Sequence, residues 1–303
     1  MSESTGQYAP PYRLIYDSLR QGLVIPFLGA GASLSRASVH ADEPASPPAD
    51  SIPSAAELTR YLAERAEFPS DETLDLAKVA QYYSLIGGRV PLYRALHQIF
   101  DRDYPIGPLH SFLASIERPM LIVTTNYDDL IERAFQEQGR PYDVVIHSSD
   151  PGAGDRILWL EHGKSKAQEI SPNKLDIDMQ AVTVIYKMHG AVDRRNPSLD
   201  QYVITEDDYI DFLARMTRNR AIPAIFAEAF QLRHFLFLGY SLRDWNLRVV
   251  LNRLQDSRRL SEITSWGIQH RPSLMERKFW QKRGVEVFNM DLSDFVRDLT
   301  THR

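Results

Sequence analysis

The 303-residue sequence contains no cysteine. That absence excludes a disulfide framework, a thiol nucleophile, an iron–sulfur cluster and the cysteine-rich zinc modules of many nucleotide-handling enzymes. Positive charge is not in excess either, because 35 Lys and Arg against 40 Asp and Glu give a formal charge of −5. A mildly acidic surface does not favour a wide polyanion-binding face, so no direct nucleic acid ligand is expected. Long hydrophobic runs are missing as well. The opening MSESTGQYAPPYR lacks the basic start and apolar stretch of a signal peptide, and no later segment approaches the roughly 18 apolar residues of a membrane span. The expectation is a soluble, cytoplasmic chain with no membrane contact. Its nine histidines are scattered with no H-x-x-x-H pair, so no protein-bound metal is expected.

What is present suits a folded α/β protein. Hydrophobic residues make up 43% and aromatic residues 10% of the chain, enough for a sizeable core in one or two domains. Residues 1–12 are polar, end in Pro10-Pro11 and read as a flexible arm. From Arg13 the spacing of Leu14, Ile15 and Leu19 predicts a short amphipathic helix ended by Gly22. LVIPFLGAGAS (23–33) reads as a buried parallel strand feeding a tight turn, although Pro26 is awkward in a central strand. Residues 41–54, rich in Ala, Pro, Ser and Asp, are a mobile loop or the entrance to an inserted subdomain. AAELTRYLAERA, LDLAKVAQYYSLI and VPLYRALHQIF then predict helices with one apolar face, a helical insertion spanning about 41–118.

The sheet resumes at MLIVTTNYDDLIERAF (120–135), AVTVIYKMHG (181–190) and HFLFLGYSL (234–242). Shorter strands at SWGIQ (265–269) and GVEVFNM (284–290) and a last helix, DLSDFVRDL (291–299), complete one domain over 13–303. The fold class is α/β, a Rossmann-like parallel sheet with helices on both faces and a helical insertion. In such a sheet the ligand crevice lies beyond the carboxyl ends of the strands, so the tips GAGAS, TTNYD, KMHG and GYS should converge on one site.

Each tip has a chemical reading and an ordinary one. Gly29-Ala30-Gly31-Ala32-Ser33 has the parts of a phosphate cradle, and equally those of a plain tight turn; Leu34 breaks the full dinucleotide fingerprint. Asn126 and Asp128 suit ribose hydroxyls or a positioned water, or else the cap of a helix starting near Asp129. His189 suits a general base or ribose partner, or a ring satisfied by a backbone hydrogen bond. Ser241 after Gly239 suits a phosphate or ribose. His110, on an apparent helix, reads as structural. Gly163-Lys164-Ser165 imitates the end of a P-loop, but Leu158 stands where its first glycine belongs, so it is given no nucleotide role.

Together the motifs FLGAGAS (27–33), IPSAAEL (52–58), TTNYDDLIERAF (124–135), KMHG (187–190), TEDDY (205–209) and LGYSLRDWNLR (238–248) resemble the sirtuin-like NAD-binding family, in particular its bacterial branch in antiphage defence. The resemblance implies NAD lying across the strand ends as substrate. It implies that Gly29, Ala30, Gly31 and Ser33 contact the pyrophosphate, that Thr125, Gly239 and Ser241 line the same nucleotide site, and that Asn126, His189 and Asp128 are catalytic. Sirtuin deacylases carry a four-cysteine zinc module between the HG and GxS tips, yet the 48 residues from Ala191 to Leu238 contain no cysteine. TEDDY occupies that region instead.

Loss of the module favours water over an acyl-lysine oxygen as the ribosyl acceptor. The implied activity is therefore NAD glycohydrolase, an NADase giving nicotinamide and ADP-ribose. The rival readings are a non-catalytic NAD or ADP-ribose sensor subunit and a residual deacylase or ADP-ribosyltransferase. The resemblance further implies an effector that depletes NAD in abortive infection. With little of the 303 residues left over for a sensor, its trigger is expected from another chain or from self-assembly. A HerA-type ATPase is expected ahead of a short Argonaute, since no extra domain for Argonaute docking follows, and homo-oligomerisation is expected through the insertion and the helix after Trp245.

Overall fold

A computed structural model describes residues 9–34, 51–149, 155–217, 222–240 and 264–302. In chain order it forms α1 (Tyr12–Arg20), β1 (Val24–Leu28), α2 (Ala55–Arg65), α3 (Leu76–Gly87), α4 (Arg89–Phe100), α5 (Pro108–Ala114), β2 (Leu121–Thr124) and α6 (Leu130–Glu137). There follow β3 (Tyr142–His147), β4 (Ile157–Leu160), β5 (Gln168–Ile170), β6 (Thr183–Lys187), β7 (Gly190–Ala191), β8 (Gln201–Tyr202), α7 (Glu206–Thr217) and α8 (Ala227–Leu232). The last elements are β9 (His234–Leu238), β10 (Ser265–Gln269), α9 (Leu274–Gln281), β11 (Val285–Asn289) and α10 (Leu292–Thr300). Ser241, with the rest of the LGYSLRDWNLR motif after Tyr240, lies outside the described residues.

Among the described residues one nine-stranded sheet has the order β11-β10-β9-β1-β2-β6-β3-β4-β5. Every neighbouring pair from β11 to β3 is parallel, and β4 and β5 extend that edge antiparallel. The α/β, Rossmann-like class expected from the sequence is what is observed, with β3 and the antiparallel extension as additions to it.

Strand periodicity divides the apolar residues between two faces. Ile25, Phe27, Leu121, Val123, Val184, Tyr186, Phe235 and Phe237 join one core, which Phe212 of α7, Ala229 and Phe230 of α8 and Trp280 of α9 complete. Val24, Leu28, Ile122, Ile185, Leu236 and Leu238 face the other, where α1, α5, α6 and α10 contribute Ile15, Leu113, Phe135 and Phe295. Both faces being covered, the central strands read as continuous hydrophobic runs. Each such side chain removed from water contributes about 1.5–3 kcal/mol. Pro26 sits within β1 opposite Leu236; by alternation its missing N–H faces β2, where the paired register begins only at Phe27.

Helices α2, α3 and α4 build a third core from Leu58, Leu62, Val79, Leu92, Leu96 and Ile99, closed by Tyr127, Tyr202 and Ile204 from beside the strand ends. The following helix, α5, packs on the sheet through Leu109, Phe112 and Leu113. The IPSAAEL motif is the start of α2: Ser54 and Glu57 cap each other's backbone amides. Among the described residues no helix is long and apolar enough to cross a membrane.

Candidate active site

Beyond β1 the chain crosses to β2 on one side, and beyond β9 to β10 on the other, so the gap between the carboxyl ends of β1 and β9 is a topological switch point. Two glycine tips meet there. Gly29 N–H donates to the Leu238 carbonyl at 3.0 Å and Gly31 N–H to the Gly239 carbonyl at 2.8 Å. Gly239 has φ +70°, and a Cβ on it would lie 2.1 Å from the Ala32 nitrogen, so only glycine fits. A Cβ at Gly29 or Gly31 would come within 2.8 Å of the Gly239 carbonyl oxygen. These glycines thus let two strand ends touch. In the single 3-10 turn Ala30–Ala32, the Ala32 and Ser33 amides are used locally, and the Ala30 N–H is left without a partner among the described residues.

The TTNYD tip leans on the first. Thr124 Oγ1 donates to the Leu28 carbonyl at 3.0 Å and accepts the Asn126 N–H at 3.0 Å. Asn126 Nδ2 donates to the Gly29 carbonyl at 3.0 Å and to Ser33 Oγ at 2.9 Å. A carbonyl can only accept, so the amide nitrogen must face Gly29. Asn126 Oδ1 is left without a partner among the described residues. Ser33 Oγ–H donates to Asp128 Oδ2 at 2.9 Å, while Asp128 Oδ1 accepts the Leu130 N–H at 3.1 Å at the start of α6. Asp128 therefore caps the helix and anchors Ser33 at once. Thr125 Oγ1 accepts the Tyr240 hydroxyl at 3.2 Å, tying in the β9 tip.

The KMHG tip is stitched to TTNYD by Met188 N–H on the Thr124 carbonyl at 2.9 Å and Val192 N–H on the Tyr127 carbonyl at 3.0 Å. Gly190, at φ +91°, brings β7 so close to β8 that a Cβ would lie 2.1 Å from the Gln201 oxygen, which explains the glycine after the histidine. His189 is 6% exposed and meets Tyr209 and Phe212 of α7 edge-on, with ring centroids 5.5 and 5.4 Å away. Burial pushes its pKa down to about 4, so the ring is neutral near pH 7. His189 is thus on the tip next to Asn126 but packs beneath α7, outside the Asn126–Ser33–Asp128 chain.

A fifth tip went unread in the sequence. β3 ends at His147 beside β6, in the register Ile146 to Lys187, and His147 meets Phe212 edge-on at 5.0 Å. Burial first, then the charges of Arg215 and His189, push its pKa down to about 3. His147 lines a cavity of about 10 Å³ with Ser149, Asp208 and Arg215, close to the size of one water. The signal was Val144-Val145-Ile146, a short β-branched run before His147. The TEDDY segment is the reciprocal cap of α7: Asp208 N–H donates to Thr205 Oγ1 at 3.1 Å and Thr205 N–H to Asp208 Oδ2 at 3.0 Å. A larger cavity, about 630 Å³, lies at the opposite end of the strands between Arg20 and Arg118.

Comparison with known proteins places the chain in a family. A family model described as SIR2-like domain matches residues 120–288, more than half of the chain. The chain is 28% identical over 277 residues to NAD(+) hydrolase ThsA of Bacillus cereus (strain MSX-D12), covering 89% of this chain and 48% of that protein. It is 30% identical over 203 residues to the NAD(+) hydrolase ThsA of Acinetobacter baumannii (strain 532279), covering 66% and 35%. Defense-associated sirtuin 2 of Bacillus subtilis is 22% identical over 75% of this chain and 20% of its own length. The chain thus spans about half or less of the length of these relatives. A solved structure from work on the mechanism and regulation of Sir2 enzymes aligns over 96% of both chains at 11% identity, with a TM-score of 0.42.

Proposed function

The chain belongs to the SIR2-like domain family, and from that premise we propose that it is an NAD glycohydrolase acting in antiphage defence. The observation that carries the reading is the Asn126–Ser33–Asp128 chain at the switch point, which fixes Asn126 by both of its N–H donors and leaves Oδ1 as an acceptor. In the reaction the bond between ribose C1′ and the nicotinamide nitrogen breaks, with its electron pair leaving on nicotinamide. A bond from water oxygen to C1′ replaces it, and one proton is released. Positive charge develops on the ribose, so fixed dipoles and a held water are what the protein must supply.

Asn126 Oδ1 orients the water or a ribose hydroxyl. His189, neutral near pH 7, has a free lone pair and accepts the proton. Asp128 acts through Ser33, whose hydroxyl proton it accepts in a hydrogen bond. The Ala30 N–H, together with the start of the glycine turn, receives the pyrophosphate. Depletion of NAD would abort infection, with activity released by a partner chain such as a HerA-type ATPase or by assembly of copies.

A time course of NAD with the full chain, alone and with the product of its neighbouring gene, tests this. Release of nicotinamide and ADP-ribose, abolished by Asn126→Ala and by His189→Ala, is expected. NAD that stays flat in every mixture while still binding would identify a sensor, and transfer of label to protein would identify a transferase.

A further inference from the structure

The KMHG tip holds a second unusual residue. Lys187, the last of β6, is 1% exposed, and its ammonium donates to the backbone carbonyl of Asp128 and to Glu132 Oε1, the latter at 2.8 Å. Burying an ammonium at a strand end is costly unless its protons are satisfied, and an apolar residue would pack there without that cost. The surroundings add to the expense. Glu132 is itself largely shielded, its side chain 13% exposed, and among the described residues its Oε2 has no partner; His110 Nδ1, close enough to feel both Asp128 and Lys187, has none among them either. Burial drives the Glu132 pKa up, against the pull of Lys187.

The geometry shows what the charge holds. Asp128 is gripped at three points: its carbonyl by Lys187, Oδ1 by the Leu130 amide, and Oδ2 by Ser33. Ser33 in turn receives Asn126. Lys187 closes the far side of the segment that presents Asn126, across a strand pairing in which Thr124 and Lys187 are register partners. We propose that Lys187 is a positioning residue, whose ammonium clamps the Asp128 peptide and thereby fixes the Asn126 amide for NAD cleavage. The proposal rests on the glycohydrolase reading of the strand tips.

The alternative is that Lys187 only neutralises Glu132. The two are separated with three variants of the full chain: Lys187→Met, Glu132→Gln, and the double variant Lys187→Met/Glu132→Leu, which removes both charges and is expected to recover the melting temperature lost in Lys187→Met. With positioning, the double variant keeps kcat at least tenfold below wild type with KM for NAD within about threefold, and Glu132→Gln, which leaves the clamp in place, keeps kcat within about threefold. A double variant with wild-type kcat, or a Glu132→Gln as impaired as Lys187→Met, overturns the proposal. Hydrogen exchange over residues 124–130 gives a readout independent of turnover. Faster exchange in the double variant at matched stability supports the clamp, and unchanged exchange overturns it. If the wild-type chain leaves NAD intact in every mixture, the glycohydrolase reading fails and this exchange comparison still decides the role of Lys187.

Discussion

Arg89 Nη2 lies 2.5 Å from Asp208 Oδ1, joining α4 to the first turn of the helix that covers His189. Asp208 is only 5% exposed, so its carboxylate depends on this partner and on the Ile204 and Thr205 amides. Arg89→Met should cost about 1–3 kcal/mol, because it strips one partner from a buried charge. Hydrogen exchange of the amides of 206–212 should accelerate more than that of the β1 and β9 amides. Uniform exchange across both regions would mean that Arg89 does not hold α7.

The glycine contact at the switch point sets up a comparison. Gly239 and Gly163 have φ of +70° and +77°, but a Cβ at Gly239 strikes the Ala32 backbone at 2.1 Å whereas at Gly163 it meets nothing within 4 Å. Gly163→Ala should cost about 1–2 kcal/mol from backbone conformation alone. Gly239→Ala adds a steric clash and should cost at least 3 kcal/mol, roughly, since the β1 and β9 tips must part. Urea denaturation of the two variants measures the difference directly.

Ser33→Ala removes the hydroxyl between Asn126 and Asp128. It should lower folding stability by about 1–2 kcal/mol and NAD turnover by about 10- to 100-fold, because the Asn126 amide loses one of its two anchors. Turnover at the wild-type rate would place the catalytic geometry elsewhere.

Buried histidines make stability depend on pH in a definite direction; burial lowers the pKa of His110 as well as those of His147 and His189. His147 and His189 have folded pKa values pushed down to about 3 and about 4, below the ordinary value of 6.5. Between those limits the unfolded chain binds the protons that the folded one refuses, so stability falls as pH drops below about 6.5. Each histidine contributes a slope of up to about 1.4 kcal/mol per pH unit. His147→Phe, which keeps an aromatic ring against Phe212, should flatten the loss between pH of about 7 and about 5 by close to one histidine's share. An unchanged slope would show that His147 is protonated in the folded chain.

The sheet was legible because six of its strands are apolar runs of strand length that end in glycine or a polar residue. Their alternation, such as Ile25 and Phe27 against Val24 and Leu28, also carries the two-faced core. β3 was less legible: Asp143 and His147 interrupt its apolar character, and Asp143 is there for partners 16 and 19 residues away, Trp159 and the His162 amide. Within the site, Asn126 and His189 stood out because their residue types suggest chemistry. Lys187, in the same KMHG tip, did not, since nothing in a sequence tells a solvated lysine from one buried on a distant carbonyl. IPSAAEL and TEDDY were visible as motifs, yet their structural work, capping α2 and α7, follows from a serine or threonine standing three residues before an acid.

The β4–β5 extension has a consequence for self-association by strand addition. An outermost strand offers a row of unpaired N–H and C=O groups that a neighbouring molecule can adopt. Here the margin is β5, only three residues long, and its Glu169 is engaged by Arg156 of the same chain at 3.1 Å. The long, apolar, parallel strands that would template a fibre are thereby kept interior on this side, behind a short rim that carries charge. Copies of the chain that meet at this margin find little to hydrogen-bond.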